Sequence, residues 1–334
     1  MAFPPATQHE GPGVFDVSKL PAMRSQRPAY ALLMGQATGA VACMGAFGFR
    51  YDLPAIALLG IAGLLLSAAV AALTRRRMSD AALLLECYLL LLASAVILSA
   101  VTCTLAATKA PYVDDILIAI DRGLFGSSWL DIATFFSRRP LTTAILSFVY
   151  SSLSWQPFVI LGLLVLRRRH REARSITLTW LLASTLCVLA MPVAPALGGY
   201  LHYGTRPADF PYVLVTAAWD FEPLITAIRS GQLRALGAAP IVGIVTFPSF
   251  HAAGAIILGY YGRHAAAGFA IVAINAAMLM STVPIGGHYI VDVLAGAAIA
   301  LVAITITASV HASAASGRPA ETAGSRPQDI LAVR

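Results

Sequence analysis

The chain has 334 residues, of which 58% are hydrophobic and only 12% are charged. Globular domains carry roughly 25% charged residues, so this composition excludes an ordinary soluble domain, a disordered chain and a fibrous repeat. The formal net charge is +7, but the basic residues lie mostly between apolar runs, which favours charges that orient a membrane protein over a nucleic-acid-binding surface.

Eight apolar stretches are long enough to cross a bilayer, which takes about 20 residues of helix. Helix is expected for each of them, because backbone groups in lipid must find their hydrogen bonds within the segment. The stretches cover residues 28–49, 54–74, 81–107, 141–166, 176–195, 241–262, 266–285 and 288–310. The predicted fold class is therefore an all-α polytopic membrane protein with about eight transmembrane helices.

The segments between the spans differ in composition. Residues 108–140 interleave charged with large apolar side chains, which indicates an amphipathic segment at the membrane interface. Residues 196–240 form the longest polar connection. The predicted organisation is a polar segment 1–27, two accessory helices in 28–79, a catalytic membrane domain in 80–310 and a disordered, Ala-, Ser-, Gly- and Pro-containing tail in 311–334.

Arginines between the spans predict the orientation. They follow the second span (residues 75–77), the fourth (residues 167–174) and the sixth (Arg263), which places them on one side of an eight-span protein. Because basic residues in short loops face the cytoplasm, both termini are predicted to be cytoplasmic and the loops 108–140 and 196–240 extracytoplasmic. We expect the inner (plasma) membrane of a bacterium.

Two histidines are predicted at the same depth of the membrane on this outer side. His251 opens the sixth span, and His288 opens the eighth. His288 and Asp292 are four residues apart and share one helix face, so the carboxylate can orient one imidazole nitrogen and leave the other basic. The two glycines before His288 allow close approach of a ligand, and free N–H groups at a helix start favour an anion.

This arrangement is typical of phosphoryl transfer through a phosphohistidine. His288 is the candidate nucleophile, Asp292 its orienter, and His251 the general acid that protonates the leaving oxygen. The candidates for phosphate binding are Ser249, Gly286, Gly287 and Arg206, and the candidates for contact with the substrate from the outer loop are Tyr200 and His202. No metal or other cofactor is predicted, although a metal site built from His251, His288 and Asp292 is an alternative.

Several segments carry a family resemblance. Pro248-Ser249-Phe250-His251-Ala252 and the run from His288 through Asp292 to Gly296 resemble the second and third motifs of the type 2 phosphatidic acid phosphatase superfamily. Three further segments resemble its inositol phosphorylceramide synthase-like branch: Asp121-Arg122-Gly123-Leu124-Phe125-Gly126, Tyr150-Ser151-Ser152-Leu153 and Met191-Pro192-Val193-Ala194-Pro195. The resemblance implies a six-helix core made of the third to eighth spans, with the same roles for the two histidines and the aspartate.

The chain departs from that family in its cations. The first motif, a Lys followed after six residues by Arg-Pro, is absent: Ile132 and Gly199 stand where Arg139-Pro140 and Arg206-Pro207 would need the lysine. The third motif usually has Ser-Arg, and here it reads Ser281-Thr282. The usual cationic phosphate clamp is therefore missing, with Arg206 or Arg139 as candidate replacements. The synthase-like branch often lacks the same arginine, which favours that branch.

The leading interpretation is an integral-membrane enzyme that transfers the phosphoryl-bearing head group of a lipid phosphate ester to a polar alcohol, in the manner of inositol phosphorylceramide synthase. Water and an alcohol can both resolve a phosphohistidine, so a phosphatase for a lipid phosphate or a polyprenyl (pyro)phosphate is the alternative. Rivals from other classes are a transporter with a His/Asp proton relay and a structural membrane subunit. The expected partners are the lipid substrate, the acceptor and membrane lipids, without nucleic acid.

Overall fold

A computed structural model describes residues 26–236 and 245–316 of the chain. These residues form thirteen α-helices and one pair of two-residue strands. The helices are α1 (Arg27–Phe47), α2 (Leu53–Arg75), α3 (Ser79–Leu105), α4 (Asp114–Phe125), α5 (Trp129–Ser137), α6 (Pro140–Ser151), α7 (Gln156–Leu166), α8 (His170–Ala190), α9 (Gly199–His202), α10 (Ala217–Arg229), α11 (Phe250–Gly262), α12 (Gly268–Ser281) and α13 (Ile290–Ser316). Strands β1 (Arg50–Tyr51) and β2 (Ala235–Leu236) pair in parallel, with Arg50 opposite Ala235.

The predicted fold class is confirmed, because the described chain is an all-α membrane protein and each of the eight apolar stretches contains a helix. Helices α1, α3, α8 and α13 are long and apolar enough to cross a bilayer, and the bent pair α6–α7 makes a fifth candidate. The other three predicted spans are shorter in the described residues: Gly60–Arg75 of α2 and all of α12 are apolar helices below span length, and α11 has 13 residues.

Two helix limits differ from the predicted ones. The sixth stretch was expected from residue 241, but α11 begins at Phe250 because Ser249 is its N-cap, and residues 241–244 lie outside the described residues. Helix α13 continues to Ser316, so residues 311–316 are helical and are not part of a disordered tail. Alanines in that segment favour helix, since alanine has the highest helix propensity. Residues 1–25 and 317–334 lie outside the described residues.

The predicted fourth span is not straight. Helices α6 and α7 meet at an angle of 64°, with a short 3₁₀ turn over Ser152–Ser154 between them. Pro157 lies in the first turn of α7, and a proline there has no N–H to donate and its ring clashes with the carbonyl four residues earlier, which breaks a continuous helix. The Gln156 side chain holds the bend by donating to Ser152 Oγ at 2.6 Å and accepting from Asn275 Nδ2 at 2.8 Å.

The main apolar core is shared by α3, α7, α8, α11, α12 and α13. It contains a small polar group at the α8, α11 and α13 contact, where Thr179 Oγ1 lies 2.9 Å from both Thr307 Oγ1 and Tyr261 Oη. Each of these buried hydroxyls has a partner, which buried polar groups require. Helix α1 packs on α3 and α8 and adds Ala29 to this core, whereas α2 packs on α3 and contributes none of its described residues to it.

The predicted amphipathic segment 108–140 consists of two helices, α4 and α5. The exposed face of α4 carries large apolar side chains, among them Ile116 and Leu124, together with the charged Asp115. Two other acidic residues of this helix, Asp114 and Asp121, are buried and point toward the protein. Helix α4 thus places two carboxylates in the protein interior while several of its apolar side chains lie on the outer surface.

The arginine-rich connections meet at one end of the bundle. Arg168, which follows α7, forms an ion pair with Asp80 at the start of α3, and His170 Nε2 lies 3.0 Å from the same carboxylate. Both histidines of the predicted active site lie at the other end, near the first residues of α11 and α13. The bundle therefore has a basic end and a histidine end.

Candidate active site

The first turn of α11 presents His251. Ser249 is the N-cap of this helix, and its hydroxyl oxygen accepts a hydrogen bond from the Ala252 amide at 3.3 Å. Capping of this kind satisfies one of the free N–H groups at a helix start. The amides of Phe250 and His251 have no acceptor within the described part of the chain, so they remain open toward the space in front of the helix.

A glycine turn presents His288. Gly287 has φ +74°, a left-handed conformation that glycine adopts without steric cost. Its carbonyl accepts from the Gly199 amide at 2.8 Å, and the His288 amide donates to the Thr282 carbonyl at 3.3 Å. Helix α13 begins two residues later, so the turn holds His288 just in front of the helix.

The two histidine segments are joined directly. The Ser249 amide donates to the backbone carbonyl of Asp292 at 3.1 Å. Gly296, one turn further along α13, lies against Ser249 so closely that a Cβ at position 296 would overlap the Ser249 carbonyl. As a result the rings of His251 and His288 come within 6.4 Å, centroid to centroid, at an angle of 50°.

Asp292 lies behind His288, as the spacing of four residues predicts. His288 Nδ1 is 3.5 Å from Asp292 Oδ2, and that oxygen also accepts from the Tyr289 amide at 2.9 Å. Both side chains are buried, and His288 Nδ1 and Asp292 Oδ1 have no hydrogen-bond partner among the described residues. The distance is at the long end for a hydrogen bond, and such contacts in ligand-free active sites tighten when the substrate binds.

Both histidines open into one large cavity of about 800 Å³. Most of its wall is apolar, from α3, α6, α8 and α10, and serine and threonine hydroxyls interrupt it. Representative lining residues are Leu91, Leu98, Phe158, Trp180, Val188, Phe221 and Ile225, together with Ser94, Thr102 and Ser184. Among the described residues, no Lys, Arg, Asp or Glu lines this cavity. The two imidazoles are therefore the basic side chains of its described wall.

Two buried aspartates of α4 hold the His288 segment in place. Asp121 accepts hydrogen bonds from the amides of Ile290 at 2.7 Å and Val291 at 3.0 Å, the first two residues of α13. Asp114 accepts from the amides of Leu197 and Gly198 and from the Tyr289 hydroxyl. Burial raises the pKa of the Asp121 carboxyl, and the hydrogen bonds from the two amides oppose that rise.

This capping corrects one expectation. The start of α13 was expected to offer free N–H groups to a phosphate, but Asp121 and the Asp292 side chain already accept from Tyr289, Ile290 and Val291. A carboxylate at a helix N-terminus is favoured by the same dipole that would attract a substrate anion. Of the two helix starts, only α11 has first-turn amides without an acceptor in the described residues.

Removing the Asp121 carboxylate should destabilise the protein, because two buried amides lose their acceptor. Each such group costs about 1–3 kcal/mol, so Asp121→Ala is expected to lower the melting temperature of the detergent-solubilised protein clearly. Asp121→Asn, which keeps one acceptor oxygen, should fall between this variant and the unchanged protein. The neighbouring Asp115 side chain is 93% exposed, so Asp115→Ala is the control and should melt like the unchanged protein. Equal melting temperatures for Asp121→Ala and Asp115→Ala would contradict this assignment.

The other predicted site residues divide in two groups. Gly286 lines the cavity beside His288. The rest do not line it. The Ser249 hydroxyl is buried and used as a helix cap, and Gly287 packs against the ring of Tyr200. Ser249 and Gly287 therefore shape the site and do not contact the cavity.

The predicted residues of the outer loop also point elsewhere. Tyr200 is buried among aromatic side chains, and its hydroxyl donates to the Pro284 carbonyl. His202 Nε2 lies 3.5 Å from Asp115 Oδ1, outside the cavity. The Arg206 side chain is 80% exposed and lies 3.6 Å from Asp209. In this exposed position the guanidinium stays hydrated, so it avoids the desolvation cost of entering the cavity. The candidate replacement Arg139 likewise donates to the Phe135 carbonyl in an exposed position.

One aromatic residue of the site was not among the predicted site residues. Tyr150, at the end of α6, lines the cavity and stacks on His251 with 3.8 Å between ring centroids and 9° between ring planes. It is part of the Tyr150-Ser151-Ser152-Leu153 segment that carries the resemblance to the synthase-like branch. That segment indicated a family, but it could not predict the contact between Tyr150 and His251, because these residues are 101 positions apart in the sequence.

The described residues contain no group of three His, Cys, Asp or Glu side chains arranged to hold a metal ion. His251, His288 and Asp292 thus do not form the ligand set that was considered as an alternative. Asp292 instead contacts His288 at its Nδ1 atom.

Fold and site together describe a helical membrane protein with two histidines, one backed by a carboxylate, at the end of an apolar cavity. The chain belongs to the PAP2 superfamily, whose sequence pattern matches residues 115–306. The matched part contains Asp121, Tyr150, His251, His288 and Asp292, and the predicted superfamily is confirmed. Membership supports a function of the lipid phosphatase or phosphotransferase type. No curated protein and no solved structure matches the chain.

Proposed function

We propose that the protein is an integral-membrane enzyme that cleaves a lipid phosphate ester through a phosphohistidine on His288. The Nδ1 atom of His288 faces Asp292, which leaves Nε2 as the nucleophile. Its lone pair attacks phosphorus, the P–N bond forms, and the P–O bond to the leaving group breaks. The leaving oxygen takes a proton from His251, and Asp292 stabilises the positive charge on the substituted imidazole.

The second step restores the enzyme. Water or an alcohol gives its proton to His251, its oxygen bonds to phosphorus, and the P–N bond breaks, which regenerates neutral His288 and protonated His251. The observation that carries the proposal is that both rings line one cavity and lie 6.4 Å apart. That separation leaves room for a phosphoryl group between them.

The cavity suits a lipid with a singly charged phosphodiester. Phosphoryl-transfer sites commonly hold the phosphoryl group with Arg, Lys or Mg²⁺, whereas the described wall of this cavity offers two imidazoles, the open amides of Phe250 and His251 and several hydroxyls. In the acid form that the proposed mechanism requires, His251 gives the wall one positive charge. A phosphodiester carries one negative charge, and a monoester carries about 1.5 to 2 at pH 7. The apolar wall takes the lipid chains.

A phosphodiester donor supports head-group transfer of the kind catalysed by the inositol phosphorylceramide synthase-like branch. Charged residues of the outer segment are engaged away from the cavity: Arg206 pairs with Asp209, and the Asp220 carboxylate accepts from the Thr216 hydroxyl. The part of that segment that lines the cavity is apolar, including Leu201, Val215 and Phe221. Hydrolysis therefore remains the second candidate function, favoured by this apolar wall.

The proposed orientation places the active site outside the cytoplasm. The Arg-rich connection at residues 167–174 lies at the end of the bundle opposite to the two histidines. By the positive-inside rule the basic end is cytoplasmic. We therefore place both termini in the cytoplasm and the histidines near the outer leaflet of a bacterial inner membrane.

The decisive experiment uses purified protein and two lipids with the same acyl chains, a phosphatidyl-alcohol diester and phosphatidic acid, each labelled at phosphorus. We expect the diester to be cleaved faster and an acid-labile phosphohistidine to form on the protein. If the enzyme catalyses transfer, addition of a polyol should divert the label into a new diester. If the sole labelled product is inorganic phosphate or a free phosphorylated head group, the enzyme is a hydrolase. Turnover that disappears with a chelator would contradict the cofactor-free mechanism, and neither donor reacting would contradict the proposed function.

A further inference from the structure

The two histidines have different neighbours. His288 is backed by the Asp292 carboxylate, 3.5 Å from Nδ1. His251 has no carboxylate beside it in the described residues, and Tyr150 lies flat on its ring at 3.8 Å and 9°. We infer that the Tyr150 ring is the positioning residue of the general acid, which orients the His251 imidazole and stabilises its protonated form. This inference rests on the proposed function, and it adds the residue that orients His251 and stabilises its protonated imidazole.

The stacking geometry suits this role. The face of an aromatic ring carries partial negative charge and attracts a cation within about 6 Å of its centroid. A protonated imidazole parallel to the tyrosine at 3.8 Å satisfies that distance. An uncharged imidazole gains less from the same contact, so stacking favours the form that can donate a proton.

Tyr150 also lies close to the glycine turn before His288. A Cβ at position 286 would lie 2.6 Å from Tyr150 Cε2 and 2.8 Å from its hydroxyl oxygen. Gly286 is therefore needed as a glycine because the Tyr150 ring occupies the space of a side chain. The Tyr150 ring thus lies against His251 and against Gly286, which precedes His288 by two residues, so one side chain contacts both histidine segments.

The position of Tyr150 follows from the bend between α6 and α7. Tyr150 is in the last turn of α6, directly before the 3₁₀ turn Ser152–Ser154. The helix axis changes direction by 64° after it. The cavity is lined on both sides of the bend, by Tyr150, Ser151 and Ser154 before it and by Pro157 and Phe158 after it.

The inference predicts a defect confined to the step that needs an acid. We compare two lipid phosphodiesters with the same head group, one whose lipid part leaves as an alkyl alcohol and one whose lipid part is a long-chain p-nitrophenol derivative, which leaves as an anion without a proton. General acid catalysis contributes about 10²–10⁴-fold, and we expect Tyr150→Leu to lose at least about tenfold in kcat with the alkyl donor, as part of that contribution. The loss with the p-nitrophenyl donor should be less than about threefold, because no proton is transferred in that cleavage.

Tyr150→Phe keeps the ring and removes the hydroxyl, so it should react with both donors like the unchanged protein. Tyr150→Met, which fills much of the same volume without an aromatic face, is the second variant should the leucine protein fold poorly, and it should behave like Tyr150→Leu. Tyr260→Leu is the matched control, since this tyrosine lies near the other end of α11 and is 41% exposed. Gel filtration and melting temperature check that each variant is folded.

Three results would overturn the inference. A Tyr150→Phe protein as slow as Tyr150→Leu would assign the effect to the hydroxyl, as a contact with the phosphate. Equal losses with both donors for Tyr150→Leu and Tyr150→Met would assign Tyr150 a purely structural role. Full activity of both variants with the alkyl donor would remove any role for the ring. Inactivity of the unchanged protein with both donors is a separate result, which contradicts the proposed function and this inference with it.

Discussion

Replacing His288 with alanine is expected to abolish turnover of the lipid phosphodiester, with a loss of about 10⁴-fold or more, the scale that follows removal of a nucleophile. His251→Ala should lose about 10²–10⁴-fold, because it removes the acid and leaves the nucleophile. The measurements are kcat with the alkyl donor and the amount of phosphorylated protein after rapid quenching. Phosphorylated protein should be absent from His288→Ala.

His170→Ala is the matched control for both variants. His170 lies at the basic end of the bundle beside Asp80 and outside the cavity, so its removal should leave kcat unchanged. Turnover that persists in His288→Ala at the level of His170→Ala would reject the phosphohistidine mechanism.

Gly296→Ala is expected to produce the second large effect without touching a catalytic side chain. A Cβ at this position would overlap the Ser249 carbonyl, and the obstacle is backbone, which cannot rotate away. Helices α11 and α13 must then separate, which moves His251 away from His288. A displacement of about 1 Å can cost about 10²-fold in rate, so we expect at least that loss in kcat, together with a lower melting temperature.

Gly123→Ala is the matched control for this change. Gly123 also lies inside a helix, but a Cβ there meets no atom within 4 Å. Alanine in a helix interior is favoured over glycine by roughly 0.5–1 kcal/mol, so this variant should be fully active and at least as stable as the unchanged protein. An active Gly296→Ala protein would show that the close contact between the helices is not required.

The sequence was most informative where chemistry depends on short spacing. His288 and Asp292 share a helix face because they are four residues apart, and the structure places them 3.5 Å from each other. The apolar stretches likewise predicted the helices, because hydropathy and helix period are local properties. The pairing of His251 with His288 followed from the predicted topology, which put both at the outer boundary of their spans, and the family resemblance agreed with it.

Contacts between distant segments were harder to predict. The cap that Asp121 forms on α13 joins positions 169 residues apart. An aspartate in an amphipathic segment is expected to face solvent, so the sequence did not predict that this side chain is buried. The bend at Pro157 was missed because the hydropathy stays high on both sides of it. Arg206 was a candidate on charge alone, and charge does not reveal whether a side chain turns to solvent or to the site.

Helix α4 connects the outer surface of the protein to the His288 turn. Its outer face exposes Ile116 and Leu124, and its buried Asp114 and Asp121 accept hydrogen bonds from the Tyr289 hydroxyl and from the first two amides of α13. The proposed nucleophile is therefore joined, through its neighbours in the chain, to a helix with large apolar side chains on its outer surface. We expect that a change in bilayer thickness or lateral pressure that shifts α4 also moves the His288 turn, because these two carboxylates transmit the displacement.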